Sequence, residues 1–309
     1  AVIAPGTGPG VHALWPQALA LGYKVAVRPS EREPFTAERL IAAMAQAGLG
    51  DHVAFLPCSH DDGAKLVEAA DLSLVYGGEE TVARYRGDPS VLVQGPGRSK
   101  IVVGRDCPRD AALDLVFRSV TGLGGAACVC ASAVLVEEDA VGFAEDFRAY
   151  VEARFRDDES RTLWATRFSR ARVDLARAIN AKAKTTAPFE TIEAGERGTH
   201  VMPLVWTVEA GDPAIAQEWP MAAVSIAPFD RARNLAAIGP ALVVTLATGD
   251  ETLISAVARL PDIRNLYIGD VPTTWMRPHV PHDGFLNAFL VTTRGYRLQS
   301  TFHAAAPAD

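Results

Sequence analysis

The run Gly122-Leu123-Gly124-Gly125-Ala126-Ala127-Cys128 sets a thiol at the end of a glycine-rich turn, directly before the apolar stretch 129–136. Glycines let a backbone turn without steric cost and approach a ligand closely. A thiol placed there has backbone N–H groups nearby, which can lower its pKa and stabilise an oxyanion. The chemistry that implies is nucleophilic catalysis through Cys128. A buried structural cysteine fits the same segment, because free cysteine is among the most buried residue types. Two residues on, Cys130 would share a strand face with Cys128, where it either packs or traps the nucleophile as a disulfide. His279, Pro281, His282 and Asp283 fall in a proline-rich loop, 275–284. There His282 is a candidate proton shuttle, or a solvated loop histidine. The histidines show no ligand-like spacing, and Cys58, Cys107, Cys128 and Cys130 form no CxxC pair, so no metal is expected.

Composition narrows the class of function. A formal net charge of −7 offers no basic surplus to neutralise phosphates, which argues against nucleic acid as a partner. Arg167, Arg170, Arg172 and Arg177 are expected on one helix and read as a solvated face. Four cysteines in 309 residues do not make a disulfide scaffold, so a reduced, cytoplasmic setting is expected. No apolar run reaches the roughly 18–20 residues of a membrane span, and no charged-then-apolar signal segment is visible.

The elements that must position these residues alternate. Val25-Ala26-Val27 precedes a helix over 36–47, and Val53-Ala54-Phe55 a helix over 61–70. The run 72–76 passes through Gly77-Gly78 into a helix beginning near Glu79. This order implies a parallel sheet covered by helices on both faces, with ligands at the carboxyl ends of its strands. A second α/β unit begins with Ile101-Val102-Val103, a helix over 110–120 and the strand 133–136. Amphipathic stretches over 141–155 and 161–181 follow, then a polar loop at 185–198. Strands are expected at 202–207, 222–227 and 241–246, with a helix over 251–260. The expected division is 1–106 for cofactor binding, 107–230 for the catalytic unit with Cys128, and 231–309 partly completing it. The second unit is expected to return to the first near 228–236.

Several segments, in order, resemble the aldehyde dehydrogenase superfamily. Ala4-Pro5-Gly6-Thr7-Gly8-Pro9 is similar to the family's Pro-Trp-Asn-Phe-Pro turn after the first cofactor strand. The stretch Trp15 to Glu31, with Ala18-Leu19-Ala20-Leu21-Gly22 and Val25-Ala26-Val27-Arg28-Pro29-Ser30-Glu31, resembles its Ala-Leu-Ala-x-Gly-Asn-x-Val-Val-x-Lys-Pro-Ser-Glu motif. Tyr76-Gly77-Gly78-Glu79-Glu80 stands where the family has Phe-Thr-Gly-Ser-Thr-Glu. Gln94-Gly95-Pro96-Gly97 resembles Glu-Leu-Gly-Gly, and Gln217-Glu218-Trp219-Pro220 resembles Glu-Glu-x-Phe-Gly-Pro.

The resemblance implies a Rossmann-like cofactor domain beside a second α/β catalytic domain, and NAD or NADP as cofactor. It implies that Arg28 and Glu31 meet the adenosine ribose. A carboxylate there favours NAD, while Arg28 and Arg32 leave NADP open. Gly77 and Gly78 would admit the pyrophosphate to a helix start, and Glu218 would hold the nicotinamide ribose. Gln94, or Val93 if the motif slips by one, holds the place of the glutamate that activates deacylating water, and an amide cannot accept that proton. Thr7 stands nearest the oxyanion asparagine, and Ala126 takes the place of a frequent glutamine. Loss of the base with retention of the cysteine resembles the acyl-CoA reductase branch, which exchanges an aldehyde and an acyl thioester. CoA or an acyl carrier protein would then be a partner, with a homo-oligomer as the assembly. Hydrolytic oxidation to a free acid is the alternative within the family, and a non-catalytic binding subunit the alternative outside catalysis. Because Ala1 falls near the first cofactor strand, the family's N-terminal helical and bridging portion is expected to be missing.

Overall fold

The computed structural model describes residues 1–6, 9–277, 280–292 and 295. Its first sheet is wholly parallel, with strands in the order β3-β2-β1-β4-β5. These are β1 (Val2–Ile3), β2 (Val25–Arg28), β3 (Val53–Phe55), β4 (Ser73–Tyr76) and β5 (Val91–Gln94). The connecting helices are α1 (Pro16–Ala20), α2 (Phe35–Met44), α3 (His60–Ala69) and α4 (Glu79–Tyr85). Ser59 starts α3 by accepting a hydrogen bond from the Asp62 amide. The strand order reverses at β1, which opens a crevice at the carboxyl ends of β1 and β4. Strand β5 completes this sheet.

The second sheet is also parallel, in the order β11-β12-β7-β6-β13-β14. Its strands are β6 (Ser99–Val103), β7 (Ala131–Val136), β11 (Leu204–Thr207), β12 (Ala223–Pro228), β13 (Ala241–Ala247) and β14 (Ile263–Ile268). Most of these residues are buried on both faces, which is why β7 and β13 read as apolar runs interrupted only by Ser132 and Thr245. Helices α5 (Arg109–Thr121) and α6 (Ala140–Arg156) pack through Leu115, Val116, Phe143 and Phe147 on the larger core. Helix α9 (Glu251–Val257) covers the other face.

The expected segment 161–181 is not one helix. It divides into α7 (Asp158–Trp164), β8 (Arg167–Phe168) and α8 (Arg170–Lys182). The reason is pairing: Phe168 lies opposite Thr199 in an antiparallel three-stranded sheet. That sheet has β10 (Thr199–Val201) at its centre and β9 (Thr191–Glu193) at its far side, so the expected loop 185–198 contains a strand. Arg167 therefore sits on a strand, apart from Arg170, Arg172 and Arg177 on α8.

Sheet membership also changes earlier than residue 106, because β6 pairs with β7 and β13. The chain does not return to the first unit at 228–236: β13 and β14 extend the second sheet. It returns after β14, where helix α10 (Leu286–Leu290) places Leu286 and Leu290 in the core of the first sheet.

Candidate active site

The chain crosses between the sheets through residues 95–98, and the nucleophile candidate is built on that crossing. A Cβ on Gly97 would stand 1.7 Å from the Cys128 carbonyl oxygen, so only glycine fits. Ser99 Oγ donates to the same oxygen at 2.8 Å. The glycine turn before Cys128 has Leu123, Gly124 and Gly125 in left-handed backbone, with φ of 51°, 73° and 69°. Gly125 lies so close to Ala222 that its Cβ would meet that backbone at 2.3 Å. Cys128 and Val129 form the centre of a turn closed by the Cys130 amide on the Ala127 carbonyl, 2.8 Å away. Cys128 is thus on a turn and not a strand, and Cys130 does not share a strand face with it. Cys130 is buried, with its sulfur 3.1 Å from the Gly122 carbonyl, which fits the packing role.

The second half of the site comes from the chain's return. Cys128 Sγ lies 3.3 Å from His282 Nε2, and His282 Nδ1 lies 3.1 Å from Gln94 Oε1. Gln94 is the last residue of β5 and is buried. The loop bearing His282 is anchored by β14: Asn265 Nδ2 donates to the His282 carbonyl at 2.6 Å, and Arg264 pairs with Asp283 at 3.1 Å. His282 is therefore neither solvated nor remote. Sequence reasoning named it but left it outside the core site, because nothing near residue 282 tells which turn it folds against. Asn265 was missed entirely, and its signal is a buried polar residue at the start of a mixed strand. His279 lies outside the described residues.

Burial governs the protonation of this pair. It pushes the Cys128 thiol up to about 12, helped by Glu218 and Cys130, while the backbone amides of Cys128 and Val129 pull the other way. The amides were expected to lower the thiol pKa, but desolvation outweighs them. Burial also lowers the His282 pKa, with Asp283 opposing. Both partners are neutral at rest, with the thiol facing a nitrogen base.

Cys128, His282 and Gln94 stand at one end of a cleft of about 780 Å³ that follows the carboxyl ends of the first sheet. Arg28, Glu31, Gly77, Gly78 and Glu218 line the same cleft. Arg28 is 3% exposed, and its guanidinium is engaged by the Cys58 carbonyl at 3.1 Å and by Glu31 at 3.4 Å. It serves to hold Glu31, whose side chain is 74% exposed, more than to meet a ligand itself. Gly77 packs tightly on Thr81, whereas Gly78, the residue before α4, borders open space. The first turn of α4 carries Glu79 and Glu80, which oppose an anion there, and Glu79 pairs with Arg98. Glu218 accepts a hydrogen bond from the Gly97 amide. Burial raises its carboxyl pKa, while the Gly97 and Arg98 amides and the Arg98 charge lower it. Tyr76, at the end of β4, has a buried hydroxyl without a hydrogen-bond partner among the described residues. Thr7 lies outside the described residues. Among those described, no cluster of histidine, cysteine and carboxylate residues could hold a metal ion, and no helix is long and apolar enough to cross a membrane.

Comparison with known proteins agrees with the fold. Malonate-semialdehyde dehydrogenase 1 of Shouchella clausii is 28% identical over 162 residues, 49% of this chain and 32% of that protein. N-succinylglutamate 5-semialdehyde dehydrogenase of Yersinia pestis is 29% identical over 147 residues, 45% of this chain and 29% of its own length. The chain thus spans under a third of the length of these curated relatives. The crystal structure of gamma-glutamyl-gamma-aminobutyraldehyde dehydrogenase from Burkholderia cenocepacia shares the fold with a TM-score of 0.76 at 20% identity, covering 91% of this chain and 62% of that one. Indole-3-acetaldehyde dehydrogenase complexed with NAD+ gives a TM-score of 0.71 at 22% identity, covering 86% and 59%. The sequence profile of the aldehyde dehydrogenase family matches residues 2–287, and the chain belongs to that family.

Proposed function

We propose that the chain carries the cofactor and catalytic domains of an NAD(P)-dependent enzyme that oxidises an aldehyde to an acid through Cys128. The observation that carries this reading is the 3.3 Å contact between Cys128 Sγ and His282 Nε2. The expectation of thioester exchange rested on the absence of a base at Gln94. His282 supplies a nitrogen base between Gln94 and the thiol, so water is an acceptor the site can activate.

The residues fit a dinucleotide. One continuous cleft offers the exposed Glu31 carboxylate at one end and the thiol at the other, with open space beside Gly78 between them. Glu31 would accept the adenosine ribose hydroxyls, held in place by Arg28, and Glu218 would face the nicotinamide ribose. When bound, the nicotinamide supplies the acceptor for the aldehyde hydride.

In the first step, His282 Nε2 takes the thiol proton as Sγ bonds to the aldehyde carbon, leaving a thiohemiacetal alkoxide. Loss of hydride from that carbon leaves an acyl thioester on Cys128. His282, having passed its first proton to solvent, then deprotonates water, which attacks the thioester; the acid leaves and His282 returns that proton to the Cys128 sulfur. A thiol such as CoA is the second reading for the acceptor. It is favoured by Gln94, which stands where the family has its water-activating glutamate.

Steady-state NADH and acid formation without added thiol separates the readings. Sustained acid formation is the expected outcome. A single-turnover burst that continues only with CoA would assign thioester exchange. No turnover of any aldehyde, with Cys128 still alkylated, would leave the binding-subunit reading.

A further inference from the structure

Gln94 stands behind His282 on the side away from the thiol, and the chemistry of an amide there has a consequence for the base. The carbonyl of a glutamine only accepts, its NH2 only donates, and a neutral imidazole carries one N–H. If Nδ1 carries the hydrogen, it donates to Gln94 Oε1, and Nε2 presents a lone pair to Cys128. If Nε2 carries it, the ring donates toward a thiol that burial keeps protonated, and the S–H loses its acceptor. A chain running S–H to Nε2 and Nδ1–H to Oε1 satisfies all three groups at the observed 3.3 and 3.1 Å.

We propose that Gln94 is a positioning residue that fixes His282 as the Nδ1–H tautomer and, being uncharged, keeps the Cys128–His282 pair neutral at rest. This rests on the reading of Cys128 as nucleophile, and extends it to a three-residue relay in which an amide occupies the orienting position. A carboxylate at residue 94 would stabilise the imidazolium and draw the pair toward a resting thiolate–imidazolium state. The other charged or titratable groups around the pair are few. Asp283 is tied to Arg264 of β14, Glu218 accepts from the Gly97 amide, and Tyr76 and Cys130 are buried beside the sulfur. The Asp283 charge acts on the ring against burial, while Gln94, 3.1 Å from Nδ1, is the group in direct contact with that nitrogen.

Two measurements on the full chain test this without aldehyde or cofactor, so they stand or fall apart from the proposed reaction. The first is 15N NMR of the His282 imidazole in the unaltered protein. A protonated Nδ1 with an unprotonated Nε2 near neutral pH is expected, and the Nε2–H tautomer would overturn the proposal. The second is the pH dependence of Cys128 alkylation by iodoacetamide. Gln94→Glu should shift its midpoint down by about one to three pH units, the effect of an opposite charge at this range. Gln94→Leu should erase the single-tautomer NMR signature and slow alkylation. An unchanged midpoint in Gln94→Glu, with the variant folded by circular dichroism, would reduce Gln94 to a packing residue. If that variant does not fold, the tautomer measurement decides alone.

Discussion

At the residue scale, the site is a neutral thiol facing a neutral imidazole, both held that way by burial. A base works only when unprotonated, and the His282 pKa lies below its usual value because burial disfavours the imidazolium. The acid limb of kcat/KM for aldehyde oxidation is therefore expected below about pH 6.5, the ordinary histidine value. His282→Asn should remove that limb and lower the rate by about 10²- to 10⁴-fold, the usual contribution of a general base. An acid limb above pH 6.5, or one retained in His282→Asn, would count against His282 as the base. The place of Cys128 at the end of a glycine turn was legible in the sequence, but its role was not, since the same segment fits a buried structural cysteine. The histidine was legible only as one of two alternatives, since its partner lies 154 residues away and proximity of that kind leaves no local trace. The depressed thiol pKa expected from nearby amides was not found, because sequence shows which donors are near but not how completely water is excluded.

Among the elements, the parallel strands were the most legible, since burial on both faces writes itself as continuous Val, Leu and Ile. The helix expected over 161–181 failed for the converse reason. Its periodicity continued across Thr166 and Phe168, but pairing with Thr199 holds Phe168 extended, and that partner is remote in sequence. Strand ends in the second sheet are tied by Arg231, which follows β12. Its guanidinium binds Glu137 beyond β7, with one contact of 2.6 Å, and Asp250, which caps α9. Burial raises the Glu137 carboxyl, yet the hydrogen bonds from Arg231 and the Arg105 amide, with the charges of both arginines, together outweigh it and hold the pKa below normal. A depressed folded-state pKa contributes stability above the unfolded carboxylate value, and the contribution is lost as pH falls through the folded value. Arg231→Met should thus cost about 2–3 kcal/mol at neutral pH, since it strands the nearly buried Glu137 carboxylate. In denaturant titrations the deficit should shrink below pH 4, and a deficit that grew in acid would contradict this account.

Across the whole molecule, the two parallel sheets meet at the crossing 95–98 and again where the chain returns to α10. The division of the sequence into two α/β units was readable from the order of strands and helices, but the place of return was not. Strand β14 opens with Ile263-Arg264-Asn265, a mixed run that lacks the apolar continuity of its neighbours. At the first crossing Gly97 touches the Cys128 carbonyl and the Glu218 carboxylate together. Gly97→Ala should therefore force the nucleophile turn away from the first sheet. Misplacement of that size is worth about 100-fold in rate, and cofactor titration should still show binding near Glu31. Equal activity in the alanine variant would mean that the crossing and the turn are not in mechanical register. The second crossing has its own consequence. The histidine rides on the segment that ties one sheet back to the other, whereas the thiol belongs to the second sheet's own interior turn. A hinge movement that widened the cleft to admit or release a dinucleotide would pull Nε2 away from Sγ in the same motion, so that an open enzyme is also a disarmed one.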